Sequence, residues 1–395
     1  MIVTLKDITT KITKGTTPTS IGCKFEKSGI NFIKSESLAD GKTIDKSKFA
    51  FISERTHERL KRSQIEENDI LFSMAGMFLG KTGIATAEVV PANTNQAVAI
   101  IRVDDTKANY EYVYYYLNQK SVIHTINTTS AQSAQPNINL KQIGEIKINL
   151  PDRKKQDQIV SLLSTIDLKI SNNVEINDNL EQQAATYFQE LFINNANPVW
   201  QISTISDLGT VVGGSTPSKT KPEYYTNNGI AWITPKDLSI NKSKFISHGE
   251  NDITELGLKN SSATVMPKGT VLFSSRAPIG YIAIASNEVT TNQGFKSVIP
   301  YSEIGTAFVY FFLKHSLPVI ESAASGSTFK EISGSAMKNI PAIIPDRNTL
   351  DQFNSFCAPI FAQQKILEEQ NHSLAMLRDS LLPKLMSGAI DIASI

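Results

Sequence analysis

"NLPDRKKQDQI", residues Asn149 to Ile159, returns as "IIPDRNTLDQF", residues Ile343 to Phe353, and this recurrence decides the fold. Its Pro-Asp-Arg core moves from position 151 to position 345, a shift of 194 residues in a chain of 395. A repeat of that length fixes architecture ahead of any local reading of secondary structure. Working outward, "KDITTKITKGTTPT" from Lys6 matches "SDLGTVVGGSTPS" from Ser206, and "GINFIKSESL" at Gly29 matches "GIAWITPKDL" at Gly229. "NDILFSMAGMFLGKTGIA" at Asn68 matches "GTVLFSSRAPIGYIAIA" at Gly269, and "NQAVAIIR" at Asn95 matches "NQGFKSVIP" at Asn292. The blocks keep their order, so the chain is a duplication: two similar units, each ending in a long helix.

Within each repeat, short β-like runs alternate with turn residues. "INFIKS", "DILFSM", "TGIATA" and "QAVAIIRV" are strand candidates, punctuated by Gly15, Pro18, Gly41, Gly76, Gly80 and Pro91. "YEYVYYYLNQKSVIHT", from Tyr110 to Thr125, reads as one helix. Its tyrosines are core residues and not a stacking platform for bases, because the equivalent "AFVYFFLKHSLPVI" at Ala307 exchanges them for phenylalanines.

After Pro151 and Pro345 the period changes from two to seven. Asp152 and Asp346 can cap a helix start. Ile159, Ile166, Asn173, Leu180 and Tyr187 fall every seven residues, with Leu163, Ile170, Asn177, Ala184 and Leu191 between them; Phe353, Ile360, Leu367, Leu374 and Leu381 repeat the spacing. Both segments suit a coiled coil, each helix the partner for the other's apolar stripe. An antiparallel pair would carry the two mixed domains to the ends of a rod. Asn173 and Asn177 either fix register in the seam or face water, and Pro359 divides or kinks the second helix. The expected architecture is mixed α/β (α+β) with a pseudo-twofold internal repeat: one domain at 1–150, a long helix at 151–197, a second domain at 198–344 and a second long helix at 345–395.

Composition excludes several classes. The start "MIVTLKDITTKITKG" lacks the apolar run of a signal peptide, and no stretch reaches the roughly 18 apolar residues of a membrane span, so a cytoplasmic protein is expected. Cys23 and Cys357 stand at non-equivalent places and make neither a disulfide framework nor a metal pair. With 39 basic and 38 acidic side chains, a nucleic-acid partner would need a local basic face, for which Lys141, Lys147, Arg153, Lys154 and Lys155, and Lys236, Lys242 and Lys244, are clusters. "AGMFLGKT" at Ala75 approaches a phosphate-binding loop but has alanine at the first glycine position, and the second repeat has "SRAPIGYI" there. The five histidines show no metal-ligand spacing, and no glycine-rich cofactor loop is present. The pattern is that of a non-enzyme, with no cofactor of its own.

The ordered repeat, "PDRKKQDQIVSLLSTID" closing the first half, the "LLPKLMSGAID" tail at Leu381, "GGSTPS" at Gly213 and the two "LFS" blocks together resemble the specificity subunit of type I restriction-modification systems, over essentially the whole chain. One departure is Asn68 where the second repeat has the turn glycine Gly269. The resemblance implies two target-recognition domains, each reading half of a split double-stranded DNA target, separated by two long antiparallel helices. It further implies two modification methyltransferase subunits carrying S-adenosylmethionine, and restriction/translocase subunits using ATP and Mg.

Base edges are read by Asn or Gln at adenine, Arg or Lys at guanine, and Ser or Thr adaptively. The repeated loops offer Lys14, Thr16, Thr17, Lys34, Ser35, Ser73, Lys81, Gln132, Gln135 and Asn137 in the first half. The second half offers Ser215, Thr216, Lys236, Ser274, Ser275, Arg276, Ser327, Thr328 and Lys330. Arg276 is the candidate guanine contact, having no arginine counterpart in the first repeat. Asn95-Gln96 and Asn292-Gln293 match between halves, which assigns them to holding a loop and not to discriminating bases. The competing reading is a protein-interaction scaffold built on the helices without DNA binding.

Overall fold

In a computed structural model, which describes residues 1–38, 41–130, 137–326 and 330–392, the chain divides into two compact units. One comprises Met1–Leu168 with Leu374–Ile395, the other Lys169–Ser373, so each unit takes part of both long helices.

The first unit is built around the strand Ile70–Ser73, whose residues are all buried. It lies between Val98–Val103 and Thr82–Ile84, and Thr9–Lys14 completes this antiparallel sheet beyond Val98–Val103. Side chains alternate across a pleated strand. Ile70, Phe72, Ala99 and Ile101 therefore join the core against the helices, while Leu71, Val98 and Ile100 face a second core shared with Ile33, Ile44 and Ala92. Behind that core lies a sheet of Ala50–Ile52, Ile30–Ile33, Ala92–Thr94 and Gln64–Ile65. The second unit repeats the plan. Val271–Ser275 is its buried centre, with Val271 and Phe273 in one core and Leu272 in the other. The strand Phe245–Ile246 adds a parallel edge to its main sheet.

The sequence matches correspond to equivalent backbone. Asn68 holds φ +69° and Gly269 φ +88°, so asparagine adopts the left-handed turn where the second repeat uses glycine. The tyrosine run is core: Tyr112, Val113, Tyr114, Tyr115 and Leu117 are buried, as are Phe308 to Leu313. The single helix expected over 110–125 is two, Tyr110–Leu117 and Lys120–Ser130. Asn118 ends the first, its amide donating to the Tyr114 carbonyl at 2.8 Å and to Thr82 at 2.6 Å.

The long helices run Arg153–Gln189 and Arg347–Ser387. Asp152 accepts from the Lys155 amide and Asp346 from the Thr349 amide, capping both starts. Inside the first unit Ile159 and Leu163 share a core with Leu382, Leu385 and Met386, and Arg378 donates to Asp167 at 2.9 Å. Inside the second, Asn173 donates to Asn371 at 2.8 Å, Gln364 to the Asn177 carbonyl at 3.1 Å and Gln352 to the Tyr187 hydroxyl at 2.6 Å. Numbers rise on one helix as they fall on the other, so the segments run antiparallel within the unit. Asn173 is buried in the seam and does not face water. Pro359 does not divide the second helix, which continues through it with Phe353, Cys357 and Ile360 buried on either side. That packing offsets the one hydrogen bond proline removes. Among the described residues no helix is long and apolar enough to cross a membrane.

Candidate nucleic-acid interface

Four of the repeated loops converge on one rim of each unit through the same set of backbone hydrogen bonds. In the first unit the Thr16 amide donates to the Thr94 carbonyl at 3.0 Å, Met74 to Ala97 at 2.8 Å and Ile138 to Met74 at 2.9 Å, while Ile33 stands in register with Thr94. In the second, Ser215 donates to Thr291 at 2.8 Å, Ser275 to Gly294 at 2.7 Å and Ile332 to Ser275 at 3.1 Å, while Ile233 stands in register with Thr291. The glycine of each "GTTPT" or "GSTPS" loop is dictated by this docking. A Cβ on Gly15 would fall 1.9 Å from the Thr94 carbonyl oxygen, and one on Gly214 2.0 Å from that of Asn292. Thr17 donates to Gln96 and Thr216 to Gln293, so the Asn-Gln loops hold the Thr-Pro loops in both units.

This rim gathers Lys14, Thr16, Thr17, Ser73 and Asn137 in the first unit, and Ser215, Thr216, Ser274, Ser275, Arg276 and Lys330 in the second. Lys14 and Asn137 line one concavity of about 550 Å³ with Gln96, Asn139 and Lys141. Lys34 and Ser35 follow the strand Ile30–Ile33 directly, and Lys34 pairs with Glu36 at 3.7 Å. Lys81 follows the positive-φ Gly80, its carbonyl accepting from the Ser73 amide. Lys236 pairs with Glu250 at 2.6 Å on the surface.

Several candidates do not present a side chain to a groove. Ser73, Ser274 and Ser275 are fully buried, because the central strand that carries them is covered on both faces. The Ser274 hydroxyl is spent internally, donating to the Pro278 carbonyl and accepting from the Tyr281 amide, both at 2.8 Å. Thr16 accepts from Arg62 at 3.1 Å. Gln132, Gln135, Ser327 and Thr328 lie outside the described residues. The basic clusters also disperse: Arg153 is bound to Asp105 and Asp157, Lys155 to Asp391, and Lys244 is buried, while Lys141 reaches the first rim.

Lys244 instead secures the second unit to its helix segments. It pairs with Glu181, donates to Gln364 at 2.6 Å and lies 4.1 Å from the centre of the Phe361 ring, while Glu368 accepts from the Lys244 and Phe245 amides. Burial pushes the Lys244 ammonium below its ordinary value despite Glu181. Burial works to raise Glu181, but Lys244 and Lys314 more than offset it and hold the carboxyl below the usual carboxylate range. The equivalent position in the first unit is Lys42, whose carbonyl, like that of Lys244, accepts from an isoleucine amide. Lys42 pairs with Glu111, and Tyr115 beneath it donates to Asp167 at 2.6 Å.

Reasoning from the sequence missed two rim residues. Met77, 89% exposed, caps the loop between Gly76 and Gly80. Glu331 lies opposite Arg276, which donates to it at 3.3 Å, and Lys296 lies 3.7 Å from its other oxygen. Counting the repeat back from Pro345 sets Glu331 against Asn137, the one signal that could have singled it out.

The family model for the type I restriction modification DNA specificity domain matches residues 1–182 and again 198–371. The MjaIX specificity subunit of Methanocaldococcus jannaschii, a type I restriction enzyme component, is 43% identical over 162 residues, 40% of this chain and 37% of that protein's length. The HindI specificity subunit of Haemophilus influenzae is 22% identical over 71% of this chain and 77% of its own. A solved S subunit of a type I system from M. genitalium, 16% identical, shares the fold with a TM-score of 0.58 over 98% of this chain and 95% of that one. Two family domains in tandem, matching the duplicated rims, mean that the chain belongs to the type I restriction-modification DNA specificity family.

Proposed function

We propose that this chain is the non-catalytic DNA-recognition subunit of a type I restriction-modification complex, each rim reading one half of a split double-stranded target. The observation that carries this reading is the pair of rims: one backbone scaffold, built twice, bearing different side chains. Such a scaffold fixes loop positions while leaving the reading residues free to diverge, and two short half-sites joined in one molecule form a longer address by effective concentration. The domains are residues 1–150 and 198–344. The helices at 151–197 and 345–395 act as a coiled-coil spacer that sets the gap and receives two methyltransferase subunits. S-adenosylmethionine is held by those subunits, ATP and Mg by restriction/translocase subunits, and the complex works in the cytoplasm.

Arg276 reads guanine, Lys14, Lys34, Lys81, Lys236 and Lys330 contact phosphates, and Asn137, Thr17, Ser35, Ser215 and Thr216 border the groove. The test is co-expression with the methyltransferase subunit and mapping of methylated adenines on plasmid DNA. A split motif that vanishes when this chain is omitted is expected. Methylation that persists without it would overturn the reading.

A further inference from the structure

Resting on that reading, we infer that one cross-bridge at each rim selects the type of base pair: Ala75 with Asn137 reads an A·T pair, and Arg276 with Glu331 reads a G·C pair. The two bridges are equivalent. Ala75 and Asn137 form an isolated antiparallel bridge in the first unit, Arg276 and Glu331 the same bridge in the second. Each follows the buried central strand by two residues or fewer, and each is locked by the amide of the next residue, Ile138 or Ile332, donating back to the residue before the bridge. Residues facing each other across such a bridge have Cβ atoms about 4.5–5.5 Å apart on one face. Their side chains therefore reach adjacent atoms of a single base-pair edge.

The chemistry of the two pairs is complementary. In the major groove an A·T pair shows, in order, adenine N7 and N6–H2, thymine O4 and the thymine methyl; asparagine satisfies the first two and an alanine methyl packs on the last. A G·C pair shows guanine O6 and N7 beside the cytosine N4–H2; arginine donates to the first two and glutamate accepts from the third. Asn137 is exposed, and the Arg276 and Glu331 side chains retain 38% and 36% of their surface, so the pairs are open to a ligand. A carboxylate is ordinarily repelled by DNA phosphates, but Glu331 sits between Arg276 at 3.3 Å and Lys296 at 3.7 Å. The trio remains net cationic, and the carboxylate orients the guanidinium before any base arrives. The first unit has the small buried Ala99 at the position matching Lys296, in keeping with a neutral pair that needs no counter-charge.

The experiment exchanges the second pair for the first, Arg276→Ala with Glu331→Asn, in the full chain co-expressed with its methyltransferase, followed by methylation mapping. One G·C position in one half-site is expected to become A·T, with the other half-site and the gap unchanged. The conservative Glu331→Gln covers failure of the double variant to fold: discrimination at that same position is expected to relax about tenfold or more. A motif that still depends on this chain but is unaltered by either variant, or altered elsewhere than at a G·C pair, overturns the pair assignment. Methylation independent of the chain would instead overturn the recognition reading beneath it.

Discussion

Gly15 and Gly214 are where the rim is most sensitive to a single atom, because a side chain at either would enter a backbone carbonyl that cannot retreat. Gly15→Ala and Gly214→Ala are each expected to destabilise their own unit by about 2 kcal/mol or more, as overpacking does. For units of this size that is a fall of about 4–8 °C in Tm, measurable by calorimetry. Lys81→Ala belongs to a different class. It is expected to weaken DNA binding uniformly across sequences and to lower the salt slope by about 1, read from affinities between 50 and 200 mM salt. What was legible at this scale was whatever the duplication repeats. The paired Thr-Pro loops and Asn-Gln loops stood out because both copies need the same close approach. The burial of Ser73, Ser274 and Ser275 was not legible, since it depends on strands that cover them from elsewhere in the chain. Glu331 was not legible either, because a carboxylate is repelled by DNA phosphates until the lysine and arginine that flank it are brought alongside.

At the scale of elements, the seven-residue spacing gave the long helices, while the fate of its polar positions depended on partners that spacing does not reveal. Asn173 stays in the seam because Asn371 is there to accept from it, and Pro359 is tolerated because Phe353, Cys357 and Ile360 hold the helix through it. The least legible tie was Lys244, grouped by sequence in a local basic cluster with Lys236 and Lys242 and found buried against Glu181 and Phe361. Removing one partner of a buried ion pair leaves the other uncompensated, at about 3 kcal/mol or more. Glu181→Gln is therefore expected to destabilise the second unit by that order in denaturant unfolding. The pH dependence gives the sign independently. The Glu181 carboxyl lies below its unfolded value, so its contribution is present above the ordinary carboxylate range and is lost as pH falls through the folded value. Glu181→Gln is expected to flatten that acid limb, and an acid limb as steep as the parent's would show that the carboxylate is not held this way.

For the whole molecule, duplication followed by divergence makes a specific demand: the two rims must act as independent readers. Each is folded around its own central strand and its own cores. Energetic effects at sites that share no partners add within about 0.5 kcal/mol, and single mismatches in a DNA target are likewise roughly additive. Net charge argues the same way. At +1 overall, no global field pulls the chain onto DNA, so the discriminating energy has to come from local contacts at each rim. Asn137→Ala is therefore expected to loosen one position in one half of the methylated motif, and Arg276→Ala one position in the other half. Each should cost about 1–3 kcal/mol of discrimination. The double variant should show both losses, unchanged in size, at an unchanged gap between the halves. Methylation mapping of the three variants beside the parent gives all of these from one set of plasmids. Non-additive losses, or a single variant that disturbs both halves, would mean that the units communicate and that duplication preserved more than a pair of separate reading surfaces.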